Sequence, residues 1–294
     1  MMIEFLKALL YGIVEGITEW LPISSTGHLI LLNEWLPFRF TDNAELAAEF
    51  WQMFEVVIQL GAILAVVILF RNRLWPFGSR KTSIEKKQTW SLWLKVVIGC
   101  VPAGLVGVIG DKILEKISGK SIDGWLYNAV VVAIALIVYG VAFILIEKLK
   151  KPDSERIHST AELDCRTALL IGLFQMLSII PGTSRSGSTI LGAMLLGLSR
   201  TAAAEFSFFM AIPVMVGASG VKVLGFASYL SESGTSLPAV AWGALAIGCV
   251  VSFAVSMVVI RFLMDFVKRH SFSAFGYYRI ALGVLVLLYF GLVK

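Results

Sequence analysis

The sequence predicts an all-α polytopic membrane protein, with six transmembrane helices plus two re-entrant helix-loop-helix hairpins in an inverted-topology repeat. Three observations carry that expectation. Of 294 residues, 57% are hydrophobic and only 15% are charged, with a mean hydropathy of +0.83, whereas a soluble domain is roughly 25% charged. The apolar residues recur in blocks close to the ~20 residues needed to span hydrocarbon. Two of the apolar regions are broken by polar centres rich in Gly and Pro, and those two regions resemble each other. No separate soluble domain is evident, so 1–294 reads as a single membrane domain.

Six segments are long enough to span, at roughly 50–70, 92–110, 125–146, 205–227, 238–260 and 277–293. The interrupted regions are 3–32, broken at Pro22-Ile-Ser-Ser-Thr-Gly27, and 166–198, broken at Pro181-Gly-Thr-Ser-Arg-Ser-Gly187. Their arms of about 8–18 residues suit re-entrant hairpins better than full spans. Irregular backbone at membrane depth is tolerated only where it is buried in protein or lines a wet cavity, so both breaks should line a site. The two regions align as Gly12-Ile-Val-Glu15-Gly-Ile-Thr18 with Gly172-Leu-Phe-Gln175-Met-Leu-Ser178. With one-residue slips the proline loops follow, and then an Ala-Ala-Glu-Phe stretch ending at Phe50 and at Phe206. Glu205 matches either Glu49 or Glu55. The repeats are therefore about 1–146 and 147–294.

Basic residues cluster in the loop 71–95 (Arg71, Arg73, Arg80, Lys81, Lys86, Lys87, Lys95), in the loop 147–166 (Lys148, Lys150, Lys151, Arg156, Arg166), and at Arg261, Lys268 and Arg269. Loop 33–49 has only Arg39, and 228–237 has no Lys or Arg; loop 111–124, with three lysines, fits least well. The positive-inside rule places the basic loops in the cytoplasm and both termini outside. Three spans separate the hairpins, and three is odd, so the halves are inverted and the two polar tips meet near the midplane, as in many transporters. The net charge of +5 resides in these loops and does not point to nucleic acid. Cys100, Cys165 and Cys249 imply no disulfide framework. The first ten residues, with Glu4 and Lys7, do not read as a removable signal peptide.

The first break carries Glu15, Glu19, Ser24, Ser25, Thr26 and His28. Glu15 and Glu19 share a helix face. Two like charges on an apolar helix make sense if a cation sits between them, and carboxylates suit Mg²⁺ shared with phosphate oxygens. A pair hydrogen-bonded within the bundle, or facing water, is the structural alternative. Ser24, Ser25 and Thr26, after the helix-stopping Pro22 and before Gly27, form either an anion cradle or an ordinary N-cap. His28 lies three residues after Ser25, close enough for the side chains to approach, and imidazole serves as base, acid or nucleophile near neutral pH. A satisfied structural histidine is the alternative. The second break offers Ser184, Arg185, Ser186 and Ser188. A guanidinium at membrane depth is costly, and its fork fits phosphate oxygens; the alternative is an Arg snorkelling to headgroups. Metal, Arg and hydroxyls together describe a phosphate-handling site, and the apolar surroundings place that phosphate on a lipid.

These motifs resemble the bacterial undecaprenyl-pyrophosphate phosphatases, the integral-membrane family linked to bacitracin resistance. The family's glutamate-rich motif corresponds to Glu15-Gly-Ile-Thr-Glu19-Trp-Leu-Pro-Ile-Ser-Ser-Thr-Gly-His28, and its second motif to Pro181-Gly-Thr-Ser-Arg-Ser-Gly187. Phe54-Glu-Val-Val-Ile-Gln-Leu-Gly61 and Ser199-Arg-Thr-Ala-Ala-Ala-Glu-Phe-Ser-Phe208 are similar as well, over nearly the whole chain. The resemblance implies removal of the terminal phosphate of C55 undecaprenyl pyrophosphate. The products are inorganic phosphate and the monophosphate carrier reused in peptidoglycan synthesis, at a bacterial plasma membrane with the site open to the outer face. It implies that Glu15 and Glu19 bind a divalent metal, Mg²⁺ first and Ca²⁺ as the alternative. Ser24, Ser25, Thr26, Ser184, Arg185 and Ser186 would hold the pyrophosphate, and His28, Ser25 and Glu19 would act in catalysis. His28 is the preferred participant in phosphoryl transfer, as nucleophile or as base, with Ser25 as the alternative nucleophile. The expected partners are the polyprenyl pyrophosphate and membrane lipids, with a homodimer left open. A transporter or flippase for the lipid carrier or another anion is the competing function, because inverted repeats with broken helices also build transporters.

Overall fold

The computed structural model describes residues 1–78, 81–119, 125–126, 128–149 and 155–292. Of the basic loop residues counted above, Arg80, Lys120, Lys150 and Lys151 lie outside the described residues. The chain is helical: α1 (Met2–Thr18), α2 (Ser25–Trp35), α3 (Ala44–Leu69), α4 (Ser83–Leu105), α5 (Asp111–Ser118), α6 (Ala129–Leu149), α7 (Cys165–Met176), α8 (Arg185–Leu195), α9 (Arg200–Ser233), α10 (Ala239–Arg269) and α11 (Ser273–Leu292). Among the described residues there is no strand, only an isolated parallel bridge between Ile157 and Leu198.

Five helices, α3, α6, α9, α10 and α11, are long and apolar enough to cross a membrane. They cover five of the six expected spans. The remaining segment, 92–110, is the second half of α4 and a π-helical turn, Val106–Gly110, that leads into α5. The first turns of α4 carry Glu85, Lys86 and Lys87, so its apolar run begins late and passes through Pro102 into the π turn. Proline lacks the N–H that an α-helix needs, and a change of helical register just beyond it is a common accommodation.

Both interrupted regions are helix–break–helix. The arms are 17 and 11 residues in the first and 12 and 11 in the second. At 1.5 Å per residue an 11-residue arm extends only ~16 Å, about half of the hydrocarbon thickness. In each case the second arm folds back against the first.

Glycine decides how closely the helices pack. Helix α1 lies along α10, where a Cβ at Gly12 would fall 2.7 Å from the Gly248 carbonyl oxygen. Helix α7 lies along α4, where a Cβ at Gly172 would fall 2.2 Å from the Gly99 carbonyl oxygen. Helices α6 and α11 pack face to face, and α3 sits against both α9 and α10. Small residues at such contacts are what helix association in lipid requires, because tails and side chains are equally apolar and only close packing distinguishes them. The largest buried cluster surrounds Trp20, whose indole meets Phe208 edge-on at 5.1 Å, so the first break is anchored in the core rather than exposed. Glu147 ties three helices together, pairing with Arg200 at 2.6 Å and accepting the Phe272 N–H at 2.9 Å. Arg73 pairs with Glu205 and donates to Thr160 at 2.8 Å.

Candidate active site

The two breaks have the same local construction. In the first, α1 ends at Thr18, whose hydroxyl bonds back to the Val14 carbonyl at 2.7 Å. Ser24 then turns the chain with φ +74° and caps α2, its Oγ accepting the Gly27 N–H at 3.3 Å. In the second, Ser184 has φ +71° and caps α8 by accepting the Gly187 N–H at 3.1 Å. These are the only described non-glycine residues with positive φ. Each costs about 1–3 kcal/mol of strain, and such strain concentrates at ligand-holding turns. The left-handed serines start α2 and α8 at Ser25 and Arg185, so each of those two side chains emerges at the head of a helix.

The tips are bonded to each other. Ser186 Oγ donates to the Glu19 carbonyl at 3.0 Å, and Arg185 Nη2 donates to Glu19 Oε1 at 3.1 Å. Ser25 Oγ donates to Glu19 Oε2 at 2.6 Å. Arg185 Nη1 reaches the Ser207 carbonyl of α9 at 2.8 Å, and Ser184 and Ser186 hydroxyls lie 3.1 Å apart. The Arg185 and Glu19 side chains are nearly buried, at 9% and 5% exposure, which rules out snorkelling to a headgroup layer. Thus Glu19, Ser25, Arg185 and Ser186 are brought together by direct bonds, with the Ser184 hydroxyl beside Ser186, while Ser24 bonds only within its own turn, to the Gly27 N–H and, through its carbonyl, to His28. Thr26 lies in the first turn of α2 and is half-buried.

His28 departs from expectation. It does not meet Ser25. Its Nδ1 lies 2.7 Å from the Ser24 carbonyl, and its Nε2 lies 2.7 Å from Tyr278 Oη. A carbonyl only accepts, so Nδ1 carries the proton and the Nε2 lone pair takes the Tyr278 hydroxyl. Helical geometry turns residue 28 back toward the cap carbonyl, while the Ser25 hydroxyl is held by Glu19.

Two residues beyond the sequence motifs complete the site. Tyr278 orients His28. Arg279, next to it on α11, is fully buried and donates to Pro22 O at 3.0 Å, Gly182 O at 2.7 Å and Thr183 O at 2.9 Å, with its guanidinium 5.3 Å from the Tyr139 ring centre. It clamps both tips from behind. The signal in the sequence is an arginine inside an otherwise apolar span, which membrane cost marks as functional.

Glu15 is fully buried, and neither of its carboxylate oxygens has a hydrogen-bond partner. Glu19 and Glu55 both add negative charge around it, against the positive charge of Arg185. A buried carboxylate among like charges is costly without a counter-ion, so this donor set fits a hard cation. Among the described residues no group of three or more Asp, Glu, His or Cys side chains is placed to hold a metal ion.

A multi-pass helical membrane protein that closes two broken helices around a carboxylate–arginine–hydroxyl cluster has the donors to handle an anion. The family model described as bacitracin resistance protein BacA matches residues 8–285, and the chain belongs to that family. It is 50% identical over 288 residues to an undecaprenyl-diphosphatase of Enterococcus faecalis, covering 97% of each chain. It is 51% identical over 289 residues to one of Acetivibrio thermocellus (98% of each), and 52% identical over 291 residues to one of Streptococcus mutans (99% of this chain, 97% of the relative).

Proposed function

We propose that the protein is an undecaprenyl-diphosphate phosphatase, converting the C55 diphosphate to the monophosphate and inorganic phosphate for reuse in cell-wall synthesis. The observation that carries the mechanism is Glu19, whose two oxygens hold the Ser25 hydroxyl at 2.6 Å and the Arg185 guanidinium at 3.1 Å. In this reading Ser25 Oγ attacks the terminal phosphorus and passes its proton to Glu19. The bond to the bridging oxygen breaks, lipid monophosphate leaves, and water then hydrolyses the phosphoserine. Arg185 and the Ser184 and Ser186 hydroxyls neutralise the oxygens that gain charge. A divalent ion at Glu15 would supply further neutralisation of the diphosphate when bound.

A second nucleophile has its own support, because His28 Nδ1–H is committed to Ser24, and Nε2 would be the nitrogen to attack once it gives up the Tyr278 hydroxyl. Quenching the enzyme during turnover of ³²P-labelled lipid diphosphate separates the two. Phosphoserine survives acid and is released by alkali, while phosphohistidine does the reverse. The expected label is acid-stable and absent from Ser25→Ala; acid-labile label would move the nucleophile to His28.

Mg²⁺ is the proposed ion, with Ca²⁺ as the alternative, held by Glu15 with help from Glu19. Chelation with EDTA is expected to abolish phosphate release, and Mg²⁺ to restore it. Mg²⁺ should also raise the thermal midpoint of wild type but not of Glu15→Gln, because ion binding to the folded state is stabilising. A shift retained in Glu15→Gln would place the ion elsewhere.

The full topology proposed is six spans, with the continuous α4–π–α5 rod as the sixth, and two re-entrant hairpins in inverted halves. Its support is the packing pattern. Helices α1, α2, α3, α4 and α6 correspond to α7, α8, α9, α10 and α11. Exchanging the sets maps the α1–α10 contact onto α7–α4 and leaves α6–α11 as a self-related pair. Ser24 and Ser184 match without the slips, and the N-caps Asn43 and Ser199 pair Glu49, rather than Glu55, with Glu205. The basic-loop rule then puts the termini and the site opening on the outer face.

A further inference from the structure

The basic loop 71–95 carries a cavity of its own, none of whose lining residues belongs to the two breaks. It holds about 200 Å³ and lies between the single helical turn Arg71–Leu74, the first turns of α4 and the segment that precedes α7. Its lining is mostly polar, with Asn72, Arg73, Lys81, Gln88, Thr89 and Thr160.

The lining is held in place. Trp93 Nε1 donates to the Leu74 carbonyl at 2.8 Å and fixes the helical turn against α4. Arg73 pairs with Glu205 and donates to the buried Thr160 hydroxyl. Lys81 Nζ donates to Thr89 Oγ1 at 2.8 Å, and the buried Thr89 hydroxyl donates in turn to Glu85 O at 3.0 Å. A hydroxyl is a neutral partner and takes one of the three ammonium donors, so Lys81 keeps its charge and further donors for a ligand. Glu85 is the one acidic residue in 71–95, against seven Lys and Arg. It lines the cavity too, but its Oε2 is turned back onto the Thr82 N–H and hydroxyl, at 2.7 and 2.9 Å, in the capping box of α4.

A second observation gives the depth at which the cavity sits. Trp75, Phe77 and Trp90 are all exposed, and their rings pack edge to face in a row at 5.7 and 5.9 Å. Exposed Trp at the end of an apolar span belongs at the headgroup level, where the ring has one apolar and one wet side. The apolar span α3 ends at Leu69, just before this loop. The basic-loop rule assigns the same face to the cytoplasmic leaflet, where anionic lipids collect.

We propose that this cavity binds the headgroup phosphate of an anionic phospholipid, held by Lys81 and Arg73. Basic residues on an open surface attract such lipids only diffusely. An enclosed space with two fixed cations and two buried hydroxyls gives one phosphate a defined seat, and the aromatic row beside it meets the acyl chains. The proposal does not depend on the phosphatase reading, and its test needs no turnover.

The full-length protein is melted in detergent with dioleoyl phosphatidylglycerol or with dioleoyl phosphatidylcholine, and native mass spectrometry counts the lipid retained. Wild type is expected to retain phosphatidylglycerol preferentially and to melt higher with it, because binding to the folded state is stabilising. Lys81→Gln should bind phosphatidylglycerol about fivefold more weakly, the effect of one cation at a charged lipid surface. Lys87→Gln removes the same charge from the same helix but outside the cavity, and should bind as wild type does. Gln88→Glu, which adds a carboxylate at an exposed lining position, should weaken binding as Lys81→Gln does. Equal weakening by Lys81→Gln and Lys87→Gln would mean diffuse attraction by the whole loop and overturns the proposal. So does a wild type that does not distinguish the two lipids, or a Gln88→Glu that binds normally. Inorganic phosphate is the remaining arm. Stabilisation by phosphate alone that Lys81→Gln removes would make the occupant a free anion and overturn the lipid assignment.

Discussion

Arg185→Ala is expected to abolish phosphate release while the protein still reaches the membrane and purifies as a folded species. Two effects add. Removing a preorganised donor to developing charge costs about 10²–10³ in kcat. Removing one partner of a buried ion pair leaves Glu19 uncompensated, a penalty of about 3–5 kcal/mol in comparable pairs. The Glu19 carboxylate would also lose the donor that fixes it against the Ser25 hydroxyl. Arg185→Lys should not rescue, because a single ammonium cannot satisfy Glu19 and the Ser207 carbonyl in the fixed geometry of the guanidinium fork. Phosphate release from C55 diphosphate in detergent, alongside a thermal melt, checks this. Arg185→Lys with more than about a tenth of wild-type kcat would show that charge alone suffices, against the geometric argument.

Arg279→Leu is expected to produce a large stability loss. Its guanidinium serves the carbonyls of Pro22, Gly182 and Thr183, and all three become buried and unsatisfied in the leucine variant. Each orphaned group costs about 1–3 kcal/mol, so a loss of roughly 3–5 kcal/mol is expected after partial relaxation. The two tips would separate, and the Ser25–Glu19–Arg185 geometry would be lost with them. Arg279→Lys should fall between, because an ammonium can still reach one or two of the carbonyls. The measurement is a thermal or denaturant midpoint for the three proteins together with kcat/KM. If the leucine variant melts with wild type, the clamp is not a structural necessity, and if Arg279→Lys matches Arg279→Leu, the donor count is not what matters.

The sequence made the breaks legible because their causes are local. Pro22 and Pro181 interrupt the two apolar regions, and Ser and Gly follow. The carboxylates, hydroxyls and arginine within the breaks were likewise visible in the sequence as the polar groups of two otherwise apolar regions. The segment 92–110 reads as a span by hydropathy, but its apolar run crosses Pro102 and a π turn, which hydropathy alone does not register. Arg279 was visible as a charge in the last apolar segment but had no motif around it.

Pairings were the part that periodicity does not encode. Glu19 and Arg185 are 166 residues apart, and Arg279 and Pro22 are 257 apart. Spacing placed His28 beside Ser25; the folded chain gives Ser25 to Glu19 and His28 to Tyr278. By itself the sequence determined the membrane-embedded helical class, the two broken helices and the chemistry of the groups they carry, because propensity, proline geometry and hydropathy act over a few residues. Only the tertiary structure decided which hydroxyl meets which base, which carboxylate lacks a partner and which arginine locks the tips, because each depends on where α9, α10 and α11 return to pack.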